Sequence, residues 1–256
     1  MIKTTQGVGG RGVFLARTKD QAQEAFRELK TNFECQDPVI TEVIQHITDL
    51  LNVQLYLFQN GDCHWLGVRR KTDASCRDVH HAPAPDVNWH EQEQLRKLTW
   101  DIASPVMKYL HKHGYFGFVG VEILINNKGK FLIDVNLKTS DSTYLLLLAP
   151  HLASCLNLPV SIAADILPTS LKQLLEETDK LNCEEEGRVI VLSGDECCKH
   201  GKPMKACVIV FAKDAATAFI VHRQLLNSCA PMICNGVYDR DLDNKNTNGT
   251  VLLTKT

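Results

Sequence analysis

The 256-residue chain has no long apolar run, no block of charge of one sign and no compact cysteine framework. Its longest apolar stretch, Tyr144 to Pro150, falls far short of the ~20 residues that span a bilayer. The start, Met1-Ile2-Lys3-Thr4-Thr5, is too short and polar for a signal peptide, so a cytoplasmic location is expected. With 28 basic against 30 acidic residues, neither a polyanion-binding surface nor a polybasic membrane anchor is expected. Any bound anion must be met locally. The ten cysteines are scattered along the chain and read as reduced thiols rather than secreted staples. The sequon Asn248-Gly249-Thr250 lacks a secretory context and is read as chance.

What is present is a hydrophobic content of 44%, enough to fill the core of one or two domains. Met1 to Lys3 is strand-like and leads into Gly7-Val8-Gly9-Gly10-Arg11-Gly12, with a second strand from Val13 to Ala16. A functional loop so near the start implies further sequence upstream. Thr18 to Lys30 is predicted helical, with Thr18 as N-cap and Ala22, Ala25, Phe26 and Leu29 on one face. Val39 to Ile44 reads as a strand, and Val53 to Phe58 with His64 to Arg70 as a hairpin turning at Asn60-Gly61. Thr72 to Asn88 reads as a loop, and Glu91 to His113 as a long helix interrupted or bent near Pro105.

A second hairpin pairs Gly117 to Ile125 with Lys130 to Val135 across Asn126-Asn127-Lys128-Gly129. Beyond it, Ser142 to Leu156 and Ser161 to Glu177 are predicted helices. Arg188 to Leu192, Lys205 to Phe211 and Asp214 to Cys229 read as strand, strand and helix, and the tail from Asn235 as loose.

The chemistry concentrates on this second hairpin. Its first strand carries Glu122, and its second carries Asp134 and Asn136, which share a face because side chains alternate with period two. Three hard oxygen donors converge, a set suited to Mg²⁺ completed by phosphate oxygens and water. Residue types alone leave a second reading open, in which these groups decorate the wet face of a hairpin.

Gly120-Val121-Glu122-Ile123-Leu124-Ile125 with Gly129-Lys130-Phe131-Leu132-Ile133-Asp134-Val135-Asn136 resembles the metal hairpin of the ATP-grasp family. Leu137 and Lys138 stand where that family has Pro and Arg. The resemblance implies that Glu122, Asp134 and Asn136 bind Mg²⁺, with Mn²⁺ as a substitute, and that Lys138 meets phosphate as a point charge. Ile2-Lys3-Thr4-Thr5 and the glycines are similar to the family's strand and flexible loop over the triphosphate. No Lys-Ser/Thr follows them, so this is not a Walker loop. Lys3, Gly7, Gly9, Gly10, Arg11 and Gly12 are therefore expected at the phosphates of ATP. Val39 to Ile44 looks like the family's hinge strand, which implies ribose binding by Glu42 and adenine binding by the backbone of Val43 and Ile44.

The fold implied is α+β, an N-terminally incomplete ATP-grasp fold with a small C-terminal α/β element. Its expected parts are a partial lid at 1–70, a core subdomain at 71–182 and the appended element at 183–256. The function implied is an ATP- and Mg-dependent carbon–nitrogen ligase joining a carboxylate to an amine through an acylphosphate. A non-catalytic ATP-binding module and a small-molecule kinase are the alternatives. The partners implied are small-molecule substrates, with no nucleic acid or membrane, and a homo-oligomer or partner segment completing the fold.

Arg69 and Lys71 share a face at the end of a strand, where they bind a substrate carboxylate or the γ-phosphate, or simply form a solvated strand end. Ser140-Asp141-Ser142-Thr143 reads as a helix N-cap. Cys63-His64 lacks an orienting acid and is not expected to be a nucleophile. Cys197-Cys198-Lys199-His200 has no second Cys/His pair and is read as a turn, not a zinc site, and His80-His81 as solvated loop residues.

Overall fold

Local sequence rules set the first elements. In a computed structural model of the chain, which describes residues 1–4, 12–71, 85–184, 186–195 and 205–229, Thr18 caps α1 (Lys19–Asn32) through a capping box with Gln21. Ala25 and Leu29 are buried on one face of α1, whereas Phe26, expected beside them, is 40% exposed. β1 (Ile2–Lys3) pairs antiparallel with β2 (Val13–Phe14) and with β3 (Val39–Ile40), giving the order β2-β1-β3. The strand expected over Val39 to Ile44 is thus only two residues long. Met1 N and Thr41 N each donate to the other residue's carbonyl, at 2.7 and 2.9 Å. Glu42, Val43 and Ile44 lie outside any strand.

The described residues form two compact units, one ending at His46 and one beginning at Ile47. The sequence alone predicts the first boundary after residue 70. Strands β4 (Ile47–Leu57) and β5 (Cys63–Arg70) instead hydrogen-bond into one sheet with β7 (Gly117–Asn126) and β8 (Gly129–Asn136), in the order β5-β4-β7-β8. The two hairpin turns fall where Asn60-Gly61 and Asn126 to Gly129 place them. β4 begins six residues before the expected Val53 because a register shift between Ile47 and Asp49 hides its alternation.

One face of this sheet is apolar. Leu51, Val53, Leu55, Val68, Val119, Val121 and Ile123 pack with Leu95, Ala103 and Met107 of α2 (Gln92–Lys112). Pro105 lies inside α2, which runs as one helical element, so of the interrupted or bent helix expected the interruption is not found. The opposite face meets α3 (Asp141–Leu156), whose Leu145, Leu146 and Ala149 contact Leu66 on one side and Ala163, Ile209 and Phe211 on the other. Close approach is allowed at Gly67, where φ is +145° and an added Cβ would lie 2.7 Å from Leu146 Cδ2.

The second sheet of this unit has the order β10-β11-β9-β6. Its members are β6 (Val87–Asn88), β9 (Val160–Ile166), β10 (Gly187–Asp195) and β11 (Lys205–Ala212), and α4 (Leu171–Cys183) and α5 (Ala215–Cys229) pack on it. Two expectations are corrected here. Asn88 and Val87, assigned to a loop, form β6, and the predicted helix over Ser161 to Glu177 is β9 followed by α4. Pairing on both edges, with β11 and β6, outweighs the helix propensity of Ala163-Ala164. Pro168 separates strand from helix, and Ser170 caps α4 by accepting from Gln173 N at 3.1 Å.

Candidate functional site

The polar side chains of the first sheet lie in two rows on the face away from α2. Cross-strand pairing places Arg69, Asn52, Glu122 and Asp134 side by side on β5, β4, β7 and β8. Two residues along, the next row is Gly67, Gln54, Gly120 and Asn136. Period-two alternation puts both rows on one face, so the three expected metal-binding residues do share a surface.

Glu122 is well covered, its side chain 15% exposed, and two donors meet the same oxygen. Lys71 Nζ lies 2.5 Å and Asn52 Nδ2 3.3 Å from Glu122 Oε1. Among the described residues Oε2 accepts from no side chain. Asp134 is exposed, with Oδ1 accepting from Val135 N at 2.9 Å and Oδ2 from Asn136 Nδ2 at 3.1 Å. That bond commits the Asn136 amide as donor and leaves its Oδ1 as an acceptor for a cation. Two carboxylates and one amide oxygen are a hard, sparse donor set that fits Mg²⁺ sharing phosphate oxygens. Among the described residues no group of three or more His, Cys, Asp or Glu side chains forms a fuller metal cluster.

Arg69 is deeply placed, with its side chain 12% exposed. Its Nη2 donates to Asp86 Oδ2 at 3.1 Å, and its Nη1 forms an ion pair with Asp141 and reaches Ser142 Oγ at 3.4 Å. Asp86, 4% exposed at its side chain, also accepts from Ala163 N at 2.7 Å, so the cluster joins β5, β9 and the start of α3. Burial alone would raise the Asp141 carboxyl, but the charge and hydrogen bond of Arg69 outweigh it and hold Asp141 below the usual carboxylate range. Burial would likewise lower the Arg69 guanidinium, and Asp86 and Asp141 more than offset it.

Lys138 is exposed between β8 and α3, and Leu137 beside it is 46% exposed. Ser140 caps α3, with its N–H donating to Thr143 Oγ1 at 3.0 Å. In the other unit, Lys3 lies on β1, and Gly12 O accepts from Thr4 N at 2.9 Å. Gly7, Gly9, Gly10 and Arg11 lie outside the described residues, as do His80-His81, Cys197-Cys198-Lys199-His200, the tail from Asn235 and the sequon. Burial pushes the Cys63 thiol up to about 11, so it is protonated near neutral pH and a poor nucleophile.

Sequence reasoning passed over Asn52, Gln54 and Asp86. A signal for the first two was present, since Leu51-Asn52-Val53-Gln54-Leu55 sets two amides at alternate positions of an apolar strand. Both are buried, at 3% and 0% exposure. Asp86 gave no local signal, because its partners are remote in the chain.

No protein-family model and no curated protein sequence matches the chain. Solved structures do. The chain resembles the biotin carboxylase–β,γ-ATP complex from Campylobacter jejuni with a TM-score of 0.57 at 16% identity, covering 89% of this chain and 56% of that one. Against the biotin carboxylase domain of Hydrogenobacter thermophilus 2-oxoglutarate carboxylase, with MgADP, the TM-score is 0.56 at 17% identity over 89% and 56%. Against Staphylococcus aureus N5-carboxyaminoimidazole synthetase complexed with ADP it is 0.54 at 14% identity over 88% and 60%. The chain therefore spans less than two thirds of each of these proteins. No helix among the described residues is long and apolar enough to cross a membrane. Mixed sheets and helices, a hairpin carrying Glu122, Asp134 and Asn136, and agreement with these three structures lead to one conclusion: the chain has the ATP-grasp fold.

Proposed function

We propose that this chain is the nucleotide- and metal-binding part of an ATP-dependent ligase that joins a carboxylate to an amine through an acylphosphate. The observation that carries the reading is the row of Glu122 beside Asp134, with Asn136 two residues on and Lys71 at Glu122 Oε1, in a chain of this fold. Glu122, Asp134 and Asn136 would hold Mg²⁺, and the ion would neutralise charge on the phosphates of ATP. Lys71 Nζ already sits where a cation is attracted. With the ion bound it would turn to phosphate oxygen, as would the exposed Lys138. Lys3, Gly7, Gly9, Gly10, Arg11 and Gly12 would bind nucleotide phosphates, with Glu42 at the ribose and the backbone of Val43 and Ile44 at adenine.

Arg69 takes a different part in this proposal from the anion binding expected of it. Both its terminal nitrogens are engaged by carboxylates, so it anchors the start of α3 rather than receiving substrate. The protein's contribution is then positioning and charge neutralisation, which phosphoryl transfer chiefly requires.

The reaction type is tested by measuring phosphate release from Mg-ATP with amino acids offered singly and in pairs as carboxylate and amine. Release is expected only when both a carboxylate and an amine are present. Phosphate transfer to a single acceptor without release would make the chain a kinase. Nucleotide binding without release under any pair would make it a binding module.

A further inference from the structure

A buried chain of amides runs from the start of α3 to the edge of Glu122. Ser140 N donates to Thr143 Oγ1 at 3.0 Å, and Thr143 Oγ1 donates to Gln54 Oε1 at 2.7 Å. Gln54 Nε2 donates to Asn52 Oδ1 at 2.5 Å, and Asn52 Nδ2 donates to Glu122 Oε1 at 3.3 Å. Every donor points the same way. Thr143 and Gln54 are fully buried and Asn52 is 3% exposed, so no bulk water competes for these groups.

The direction has a chemical consequence. An amide presents its N–H to one side and its carbonyl to the other, and Asn52 could face Glu122 with either. Facing it with oxygen would set a lone pair against a carboxylate. The Thr143 hydroxyl accepts from Ser140 N and donates to Gln54 Oε1, and with its oxygen engaged there Gln54 faces Asn52 with Nε2. Gln54 Nε2 in turn holds Asn52 by its oxygen and leaves its N–H for Glu122.

The neighbouring backbone is shaped for this path. Gln54 is flanked across the sheet by Gly67 and Gly120, and an added Cβ on Gly120 would lie 2.7 Å from Gln54 Nε2. A side chain there would displace the amide from its course. Glu122 Oε1 is thereby occupied by Asn52 and Lys71, and among the described residues Oε2 accepts from no side chain.

We infer that Gln54 is a positioning residue for the metal carboxylate, acting through Asn52 to hold Glu122 with Oε2 outward. This rests on the proposed role of Glu122 as a Mg²⁺ ligand. Partners one step behind a ligand typically change metal affinity by 10–100-fold when removed.

The test is Mn²⁺ binding to the full chain in the presence of ADP, followed by electron paramagnetic resonance, with metal-free ADP binding and thermal unfolding measured alongside. Gln54→Glu keeps shape and the acceptor toward Thr143 and, when ionised, has no donor toward Asn52. It is expected to weaken Mn²⁺ binding about tenfold and to change metal-free ADP binding by less than about twofold. In an Asn52→Ala background the same change should have no further effect, because the route to Glu122 is already cut. Thr143→Val reads the relay from its other end. It is expected to weaken Mn²⁺ binding severalfold, again only while Asn52 is present, and it decides the matter if Gln54→Glu fails to fold. Unchanged Mn²⁺ affinity in these variants, or equal losses with and without Asn52, would overturn the relay while Glu122→Gln still abolished binding. If the parent chain bound no Mn²⁺ with ADP, the metal-site reading itself would fall, and the relay with it.

Discussion

Asp134→Ala is expected to lower Mg-ATP-dependent phosphate release by at least about 100-fold while moving the unfolding midpoint by no more than a few degrees. The asymmetry follows from where Asp134 sits. Its side chain is exposed and its hydrogen bonds are local, to its own neighbour Val135 and to Asn136, so the fold loses little when it is removed. The proposed ion loses a carboxylate, and with it much of the charge that holds it against phosphate. Glu122→Ala should show both effects together, because Glu122 is covered and also holds Asn52 and Lys71. Phosphate release and differential scanning calorimetry on the two variants separate the cases. Full turnover in Asp134→Ala would remove that residue from the site.

The second large effect is on stability. Arg69→Met is expected to destabilise the unit by about 3–5 kcal/mol, the range for breaking a buried ion pair by removing one partner. Asp86, 4% exposed at its side chain, would lose the guanidinium that balances its charge, while Met fills much of the same volume. Urea unfolding at pH 7 reads the loss, and a change below 1 kcal/mol would show that the cluster is not holding α3 in place. The pH dependence has a definite sign. Asp141 is held below its ordinary value of 3.8, so its pairing stabilises the fold fully above that value. The contribution is lost as pH falls through the depressed folded value. The parent should therefore lose stability below about pH 4, and Arg69→Met should lack the part of that slope due to Asp141.

The metal hairpin was legible because its signals are local. Alternation over Gly117 to Ile125 and a turn rich in Asn and Gly place the two strands, and Asp134-Val135-Asn136 sets two donors on one face, but the register shift between Glu122 and Ile123 that brings Asp134 opposite Glu122 has no local signal. The capping of α1 by Thr18 was legible for the same reason. Where partners are distant, the reading failed. Ala163-Ala164 reads as helix until β11 and β6 are known to flank it, and nothing near Asp86 announces Arg69 or Ala163 N. The strand from Val39 was drawn too long because its apolar run continues after the ladder with β1 has ended. Gln54 was invisible as a functional residue because its meaning lies in Thr143, 89 positions away, and in the two glycines across the sheet.

The central claim is that Glu122, Asp134 and Asn136 bind a divalent ion together with nucleotide. Anomalous diffraction from crystals of the chain grown with Mn²⁺ and ADP tests it most directly. The account predicts a manganese peak within coordination distance of the Glu122, Asp134 and Asn136 side-chain oxygens, with Lys71 moved off Glu122 Oε1. A peak away from these residues, or bound ADP with no ion beside them, would contradict it.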